Sequence, residues 1–331
     1  MKILVVEDDG SSRQLLKMIL EKKGYEVDVV NDGLEALEFV QRAKYDAVLT
    51  DWMMPKLDGI ALIRRIREVV NPVPIIMVIT ALASKEARIK ALDAGADDYI
   101  AKPIEKRDVL ERLKNCLMRQ NVDRAQQSLD ESKDTFKEAG FAGVCLTAST
   151  GGQPALLKIL TALKADGNTA YFIVLQSPGW MLESFAERLR QKTNMIVHLG
   201  EDNQRVLPDR IYIAPDDFHM TIDPQTMTIQ LNDNPPENMV RPSADPLFRS
   251  VSKTFGKHSI SVVLTGMGHD GTIGSGYISA AGGLSIAQEP SEAIMPSMPK
   301  SVIDLRIASI IAPIEDMPAI ISNSIHKFFP E

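Results

Sequence analysis

The sequence predicts an α/β protein made of two doubly wound domains. Three observations lead there. A chain of 331 residues is too long for one ordinary core and suits two. Short β-branched runs alternate with stretches whose apolar residues recur at i, i+3 and i+4. A polar stretch from Arg119 to Gly140 divides this alternation into two series.

In the first series Ile3–Val6, Glu26–Val30, Ala47–Thr50, Ile75–Thr80 and Asp98–Ala101 read as strands. Between them Gln14–Lys22, Leu34–Arg42, Ile60–Val69 and Lys85–Asp93 read as helices, and Val109–Leu117 closes the series. Five strand–helix units imply a parallel sheet with its ligand crevice at the carboxyl ends of the strands. The polar stretch keeps only Val122, Leu129 and Phe136 as large apolar residues, spaced by seven, so it reads as a partly helical linker. The second series has strands at Gly143–Ala148, Ala170–Gln176, Met195–Leu199, Arg210–Ala214, Ser261–Thr265 and Leu284–Gln288. Its helices fall at Pro154–Leu163, Ser184–Lys192, Asp245–Phe255 and Thr272–Ala281. A hairpin, His219–Asp223 to Thr228–Leu231, interrupts the alternation and suggests a mixed sheet. The expected division is residues 1–118, a linker at 119–140, and residues 141–331.

Composition narrows the function. The chain is 44% hydrophobic and 24% charged, as in a soluble globular protein. A net charge of -7 disfavours nucleic-acid binding, which needs a basic footprint, and the second half has no basic recognition helix to suggest a transcription factor. Cys116 and Cys145 sit in apolar runs and read as buried free thiols of a reducing compartment. MKILVVEDD turns acidic too early for a signal peptide, and no run approaches 18 apolar residues. The expectation is a cytoplasmic protein without membrane insertion.

Glu7 and Asp8 follow the first strand and Asp51 the third, so three carboxylates converge at neighbouring strand ends. Alone they would repel one another; a hard cation with oxygen ligands removes the conflict, and Mg2+ fits. Asp51 can then attack a phosphoryl donor and form an aspartyl phosphate. Thr80, ending the fourth strand, offers a hydroxyl to the phosphoryl oxygens, and Lys102, past the fifth, offers a cation. A single strand-end Asp is more often a helix cap, Asp9 reads as a solvated or capping carboxylate, and Lys102-Pro103 could be a simple turn or a cis bond. The joint occurrence overrides those readings.

VVEDD (5–9), LTDWMMPKLDG (49–59), VITA (78–81) and DYIAKP (98–103) together resemble the response-regulator receiver family, over residues 1 to about 118. The resemblance implies a flavodoxin-like fold, a sensor histidine kinase as phosphoryl donor, Asp51 as phosphoacceptor, and Glu7, Asp8, Asp51 and the Met53 carbonyl around Mg2+. It also implies Thr80 and Tyr99 as a coupled switch pair and Lys102 as the phosphoryl-binding lysine.

In the second half, LTASTGGQPALLKIL (146–160) delivers Ser149 and Thr150 to a Gly-Gly turn opening a helix. That arrangement exposes a hydroxyl beside helix N-terminal amides, as nucleophile turns do; a plain N-cap or an anion-binding nest is the commoner use. LTGMGHDGTIGSG (264–276) places His269 and Asp270 on a Gly-rich turn before a helix, where Asp270 could orient an imidazole or merely cap. Arg241, before another helix, could meet an anionic substrate group or an acidic neighbour. ASTGG (148–152), SFAERL (184–189), RVLPDRIYIAPDDFHM (205–220), RPSAD (241–245) and LTGMGHDG (264–271) resemble the catalytic domain of the chemotaxis receptor methylesterase family, CheB, over about Gly143 to Lys327. The resemblance implies hydrolysis of glutamate methyl esters on chemoreceptors, in some members deamidation of glutamine, by a Ser–His–Asp triad under receiver control. Ser149 is then the nucleophile and Asp270 the orienting acid, with Thr150 and the Met267 amide at the site.

One position departs from the family. Its base follows the second strand as Thr-Gln-His, where this sequence reads Leu175-Gln176-Ser177-Pro178 in a loop one residue short. With Ser177 at the histidine's position the triad is incomplete, and serine without a base is a weak nucleophile. Losing the histidine of such a triad costs roughly 10^6 in turnover. The other histidines, His198, His219, His258, His269 and His326, are not placed by sequence to replace it. The expectation is therefore a phosphorylation-controlled regulator whose methylesterase-like domain binds chemoreceptor-like segments without hydrolysis. The alternative is an active methylesterase or glutamine deamidase.

Overall fold

Strands whose residues are apolar at nearly every position are buried on both faces, which calls for a parallel sheet between two helix layers. The first sheet is built that way. Its elements are β1 (Lys2–Val6), α1 (Gly10–Glu21), β2 (Glu26–Val30), α2 (Gly33–Arg42), β3 (Ala47–Asp51), α3 (Gly59–Val69), β4 (Ile75–Thr80), α4 (Lys85–Asp93), β5 (Asp98–Ala101) and α5 (Lys106–Asp130). The computed structural model describes residues 1–81, 85–130 and 140–329. The chain divides into two units, Met1–Gln120 and Asn121–Glu331.

The first unit has strand order β2-β1-β3-β4-β5, all parallel. Alternation along β1 sends Ile3 and Val5 to one core with Leu16, Leu20 and Leu113, and Leu4 and Val6 to the other with Leu62, Ile63 and Ile66. Aspartates open three of the helices. Asp9 accepts from Ser12 N at 2.7 Å, Asp32 from Leu34 N and Glu35 N at 3.0 Å, and Asp58 from Ala61 N at 2.7 Å. Of the two readings open for Asp9, solvated or capping, the structure shows the cap. Helix α5 starts three residues earlier than the apolar pattern indicated and continues to Asp130 through the polar stretch. Phe136 lies outside the described residues.

The second unit contains β6 (Ala142–Ala148), α6 (Gly152–Ala162), β7 (Thr169–Leu175), α7 (Gly179–Arg190), β8 (Ile196–Leu199), β9 (Arg210–Ile213), β10 (His219–Asp223), β11 (Thr228–Asn232), α8 (Ala244–Phe255), β12 (Ser259–Val263), α9 (Thr272–Ala280), β13 (Leu284–Gln288), α10 (Ser297–Asp304), β14 (Ile310–Ala312) and α11 (Met317–Phe328). Seven strands form a sheet in the order β14-β13-β12-β6-β7-β9-β8. The expected mixed sheet is corrected here: every pairing in it among the described residues is parallel. The hairpin exists but forms its own two-stranded sheet. Its apolar residues Met220, Ile222 and Ile229 share a core with Leu247, Phe248 and Val251 of α8, and Ile222 N–H donates to Ser250 Oγ at 3.0 Å. Covered by a helix in this way, the hairpin has no apolar face left to bury on the large sheet.

Elements β14, α10 and α11 were not marked by the sequence pattern. At three residues β14 is too short to show a period, and α10 and α11 are rich in Ser and Pro.

In the first unit Gly59 opens α3 so close to β3 that an added Cβ would lie 2.1 Å from the Asp51 carbonyl oxygen. Gly59→Ala is expected to cost about 1–3 kcal/mol, the usual range for overpacking. Urea unfolding followed by Trp52 fluorescence in a Trp180→Phe background measures it; an unchanged midpoint would show that the helix can back away freely.

Candidate functional site

In an open parallel sheet the crevice forms where the connections from two adjacent strands leave in opposite directions. For the first sheet that point lies between β1 and β3. Glu7 and Asp8 follow β1 and Asp51 ends β3, and one ligand atom from each lies within 4.8 Å of the others. Glu7 is fully buried, Asp51 nearly so, and Asp8 is exposed.

Lys102, past β5, answers part of this charge. Its Nζ donates to Asp51 Oδ2 at 2.8 Å and Glu7 Oε1 at 3.1 Å, and the Lys102–Pro103 bond is cis. Burial pushes the Glu7 carboxyl up to about 7 against the hydrogen bond from Lys102, and the Asp51 charge adds to the rise. Burial alone would lower the Lys102 pKa, but the hydrogen bonds to Asp51 and Glu7 outweigh it and the net shift is upward.

One ammonium against three carboxylates leaves negative charge unanswered. Glu7 Oε2 lies 3.0 Å from Nζ yet accepts no directed hydrogen bond from a described residue. An all-oxygen donor set with a buried, unsatisfied oxygen suits a hard divalent cation such as Mg2+. Met53 is two residues past Asp51 with its side chain exposed, so its backbone carbonyl is what it can offer the site. Thr80, buried, ends β4, and Tyr99, half-buried, lies on the adjacent β5.

The corresponding point in the second sheet lies between β12 and β6. Ser149 follows β6, and its N–H donates to Thr265 O, just past β12, at 3.0 Å. Gly151, at φ 78°, turns the chain into α6, a conformation that suits glycine. Ser149 is half-buried and Thr150 exposed, and no hydrogen bond joins the Ser149 hydroxyl to another described residue.

Asp270, on the turn after β12, is buried and receives four donors. Oδ1 accepts from Ser243 Oγ at 2.5 Å and Asn238 Nδ2 at 2.9 Å. Oδ2 accepts from Ala244 N at 2.8 Å and Gln176 Nε2 at 2.9 Å. Asn238 Nδ2 also donates to Asp245 Oδ2 at 2.7 Å, and Gly274 N donates to Asp245 Oδ1 at 2.7 Å. Burial, then the Asp270 charge, pushes Asp245 upward.

Gln176 is the finding here. The side chain that meets Asp270 from the end of β7 belongs to Gln176, while the Ser177 hydroxyl is turned to Met181 Sδ at 3.5 Å.

The other histidines are accounted for in part. His219 is fixed at both ring nitrogens: Nδ1 accepts from Ser243 N and Nε2 donates to Pro235 O, each at 3.2 Å. His198 lies on β8, three strands from β6, about 14 Å at ordinary strand spacing. His258 precedes β12 at the opposite end of the sheet, its ring against Phe328 and Phe329, and His326 is nearby on α11. His269 adjoins Asp270 and is half-buried. Among the described residues Arg241 meets no acidic side chain, Asp270 included; its Nη1 donates to Asp233 O at 2.7 Å and Asn234 O at 3.2 Å. Met267 is largely exposed.

Comparison with known proteins agrees with both halves. The response regulator receiver domain model matches residues 3–114, and the CheB methylesterase model matches residues 144–321. A Pyrococcus horikoshii protein named protein-glutamate methylesterase/protein-glutamine glutaminase is 33% identical over 349 residues, covering 98% of this chain and 93% of that protein. The chain belongs to the CheB methylesterase family. A Chromohalobacter salexigens protein of the same name is 32% identical, covering 96% of this chain and 94% of its own. The crystal structure of the Thermotoga maritima CheB methylesterase catalytic domain matches with a TM-score of 0.54 and 30% identity, over 56% of this chain and 99% of that one.

In this CheB-family chain, sequence reasoning missed Gln176, Asn238, Ser243 and Asp245 as partners in the Asp270 network. RPSAD contains two of them, but only Arg241 in that segment carries an obvious charge for a ligand. Asn238, at φ 55° in an irregular loop, gave no signal.

Asp270→Asn would set an amide NH2 against two donors whichever way it turned. The substitution is expected to destabilise the chain by roughly 2–5 kcal/mol, measured by urea unfolding followed by circular dichroism. A loss below about 0.5 kcal/mol, within the range of ordinary surface changes, would show that the network does not carry a buried charge.

Proposed function

We propose that the chain is a two-component response regulator in which phosphorylation of Asp51 controls a CheB-type domain that binds its target without hydrolysing it. In the receiver, Asp51 Oδ attacks the phosphorus of a donor such as a sensor histidine kinase, and the donor nitrogen leaves. Glu7, Asp8, Asp51 and the Met53 carbonyl would hold Mg2+, which when bound neutralises charge developing on the transferred group. Lys102, now paired with Asp51, then meets the phosphoryl oxygens, and the Thr80 hydroxyl donates to them. Movement of Thr80 leaves room for Tyr99 to follow, which biases a two-state element.

The observation that carries the output reading is the Gln176 amide on Asp270. In a Ser–His–Asp triad the acid orients an imidazole whose other nitrogen accepts the serine proton. An amide nitrogen can donate to the acid as an imidazole does, but its lone pair is delocalised and accepts no proton. Ser149 therefore has an orienting acid without a base. Residual hydrolysis from helix amides and binding alone is roughly 10^3–10^4 over water, far below a working enzyme. Ser149, Thr150 and Met267, retained beside the β12–β6 switch point, suit recognition of chemoreceptor-like segments.

A second reading is favoured by the relatives' shared name: an active protein-glutamate methylesterase or glutaminase. Ester hydrolysis separates the two. Full-length protein treated with acetyl phosphate and Mg2+ is expected to gain one base-labile, hydroxylamine-sensitive phosphoryl group, absent in Asp51→Asn. Its hydrolysis of methylated receptor, phosphorylated or not, is expected to match that of Ser149→Ala. A Ser149-dependent rate that rises on phosphorylation would replace the binding reading with the second one. Ser177→His is expected to stay at the same floor, because the side chain at 177 is directed at Met181 rather than Asp270.

A further inference from the structure

Tyr99 does not stand alone on β5. The guanidinium carbon of Arg112, from α5, lies 5.2 Å from the centre of the Tyr99 ring, within the range in which a cation is attracted to an aromatic face. The guanidinium is fixed there by carboxylates from two directions. Nε donates to Asp108 Oδ1 at 2.7 Å, one helical turn back, and Nη1 donates to Asp98 Oδ1 and Oδ2 at 3.2 and 3.3 Å. Asp98 Oδ1 also accepts the Tyr99 backbone N–H at 2.8 Å. The carboxylate that holds the cation therefore also fixes the backbone that carries the ring. Arg112 is about one-third exposed, so the cation and ring are partly shielded from water. On its other side the ring packs against the buried cluster that includes Ala91, Ala94 and Val78.

We propose that Arg112 is a positioning residue for the receiver switch, holding the Tyr99 ring in its resting place and so setting how readily the phosphorylated state forms. The inference rests on the reading of Thr80 and Tyr99 as the switch pair. A ring that follows Thr80 on phosphorylation moves away from the guanidinium, and giving up that attraction opposes the step. By linkage, weakening the resting state tightens whatever binds the switched state. A partly shielded cation–π attraction corresponds to a factor of about two to five in that equilibrium.

The probe is beryllofluoride with Mg2+, a phosphoryl mimic, added to the full-length chain carrying Trp180→Phe, so that Trp52 beside Asp51 reports binding. Arg112→Met is expected to tighten beryllofluoride binding about two- to fivefold. Arg112→Lys, which keeps a cation, is expected to stay nearer the parent. In a Tyr99→Ala background Arg112→Met should add nothing. Unchanged or weaker binding in Arg112→Met overturns the proposal, as does an effect of the same size without the Tyr99 ring, which would be merely structural. If Arg112→Met does not fold, Asp108→Asn, which frees the guanidinium on one side, is expected to tighten binding in the same Tyr99-dependent way; no shift there overturns the proposal. If Tyr99→Ala and Thr80→Ala both leave binding untouched, the switch reading fails first. If they shift it and Arg112→Met does not, only the role of Arg112 fails.

Discussion

A carboxylate removed from water must be met by donors or by opposite charge, and both sites in this chain are organised by that constraint. Each sheet gathers its acids at a switch point, where parallel topology places strand ends side by side. What then differs is how the charge is met. In the receiver the acids outnumber Lys102, and the surplus negative charge would suit a divalent cation. In the CheB-type unit Asp270 is met entirely from within, by two side-chain amides, a hydroxyl and a backbone N–H. The first site is left open to ions and phosphoryl groups. The second is closed around its charge.

That difference bears on chemistry. On the proposed reading, the Asp51 carboxylate acts as a nucleophile with no base beside it; it needs screening from its neighbours. Ser149 needs its proton removed, and screening does not supply that. A helix N-terminus near Ser149 can stabilise an oxyanion once formed, yet on the proposed reading the step that forms it lacks an acceptor. On the proposed reading, the two halves of the chain therefore keep unequal amounts of their family's chemistry.

The receiver is legible from sequence because its site residues sit at strand ends, and those ends are fixed by uninterrupted apolar runs. Glu7, Asp51, Thr80 and Lys102 follow or end β1, β3, β4 and β5 directly, so finding the strands places the side chains. The second unit is legible in most of its strands, whose ends the sequence pattern marks to within two residues. Where sequence misleads, other physics is at work. The hairpin suggests a mixed sheet because sequence shows strand period and not which surface covers it; α8 supplies that cover. Counting along the chain from the matched motif puts Ser177 at the histidine's position, but the side chain that reaches Asp270 is that of Gln176.

On the binding reading, the Gln176 hydrogen bond lets such a site do without a base and keep its shape. Deleting one partner of a buried charge and leaving nothing is among the costlier single changes, about 3–5 kcal/mol for an uncompensated ion. The Gln176 amide gives Asp270 Oδ2 one hydrogen bond to a carboxylate, worth about 1.5–3 kcal/mol, while contributing nothing to proton transfer. Folding stability and catalysis thus ask different things of the same position. The first is met by any donor of suitable reach, and the second by an imidazole alone. Asp270 held by Gln176, Asn238, Ser243 and Ala244 is a stable arrangement in its own right, so neither the fold of this unit nor its pocket depends on hydrolysis.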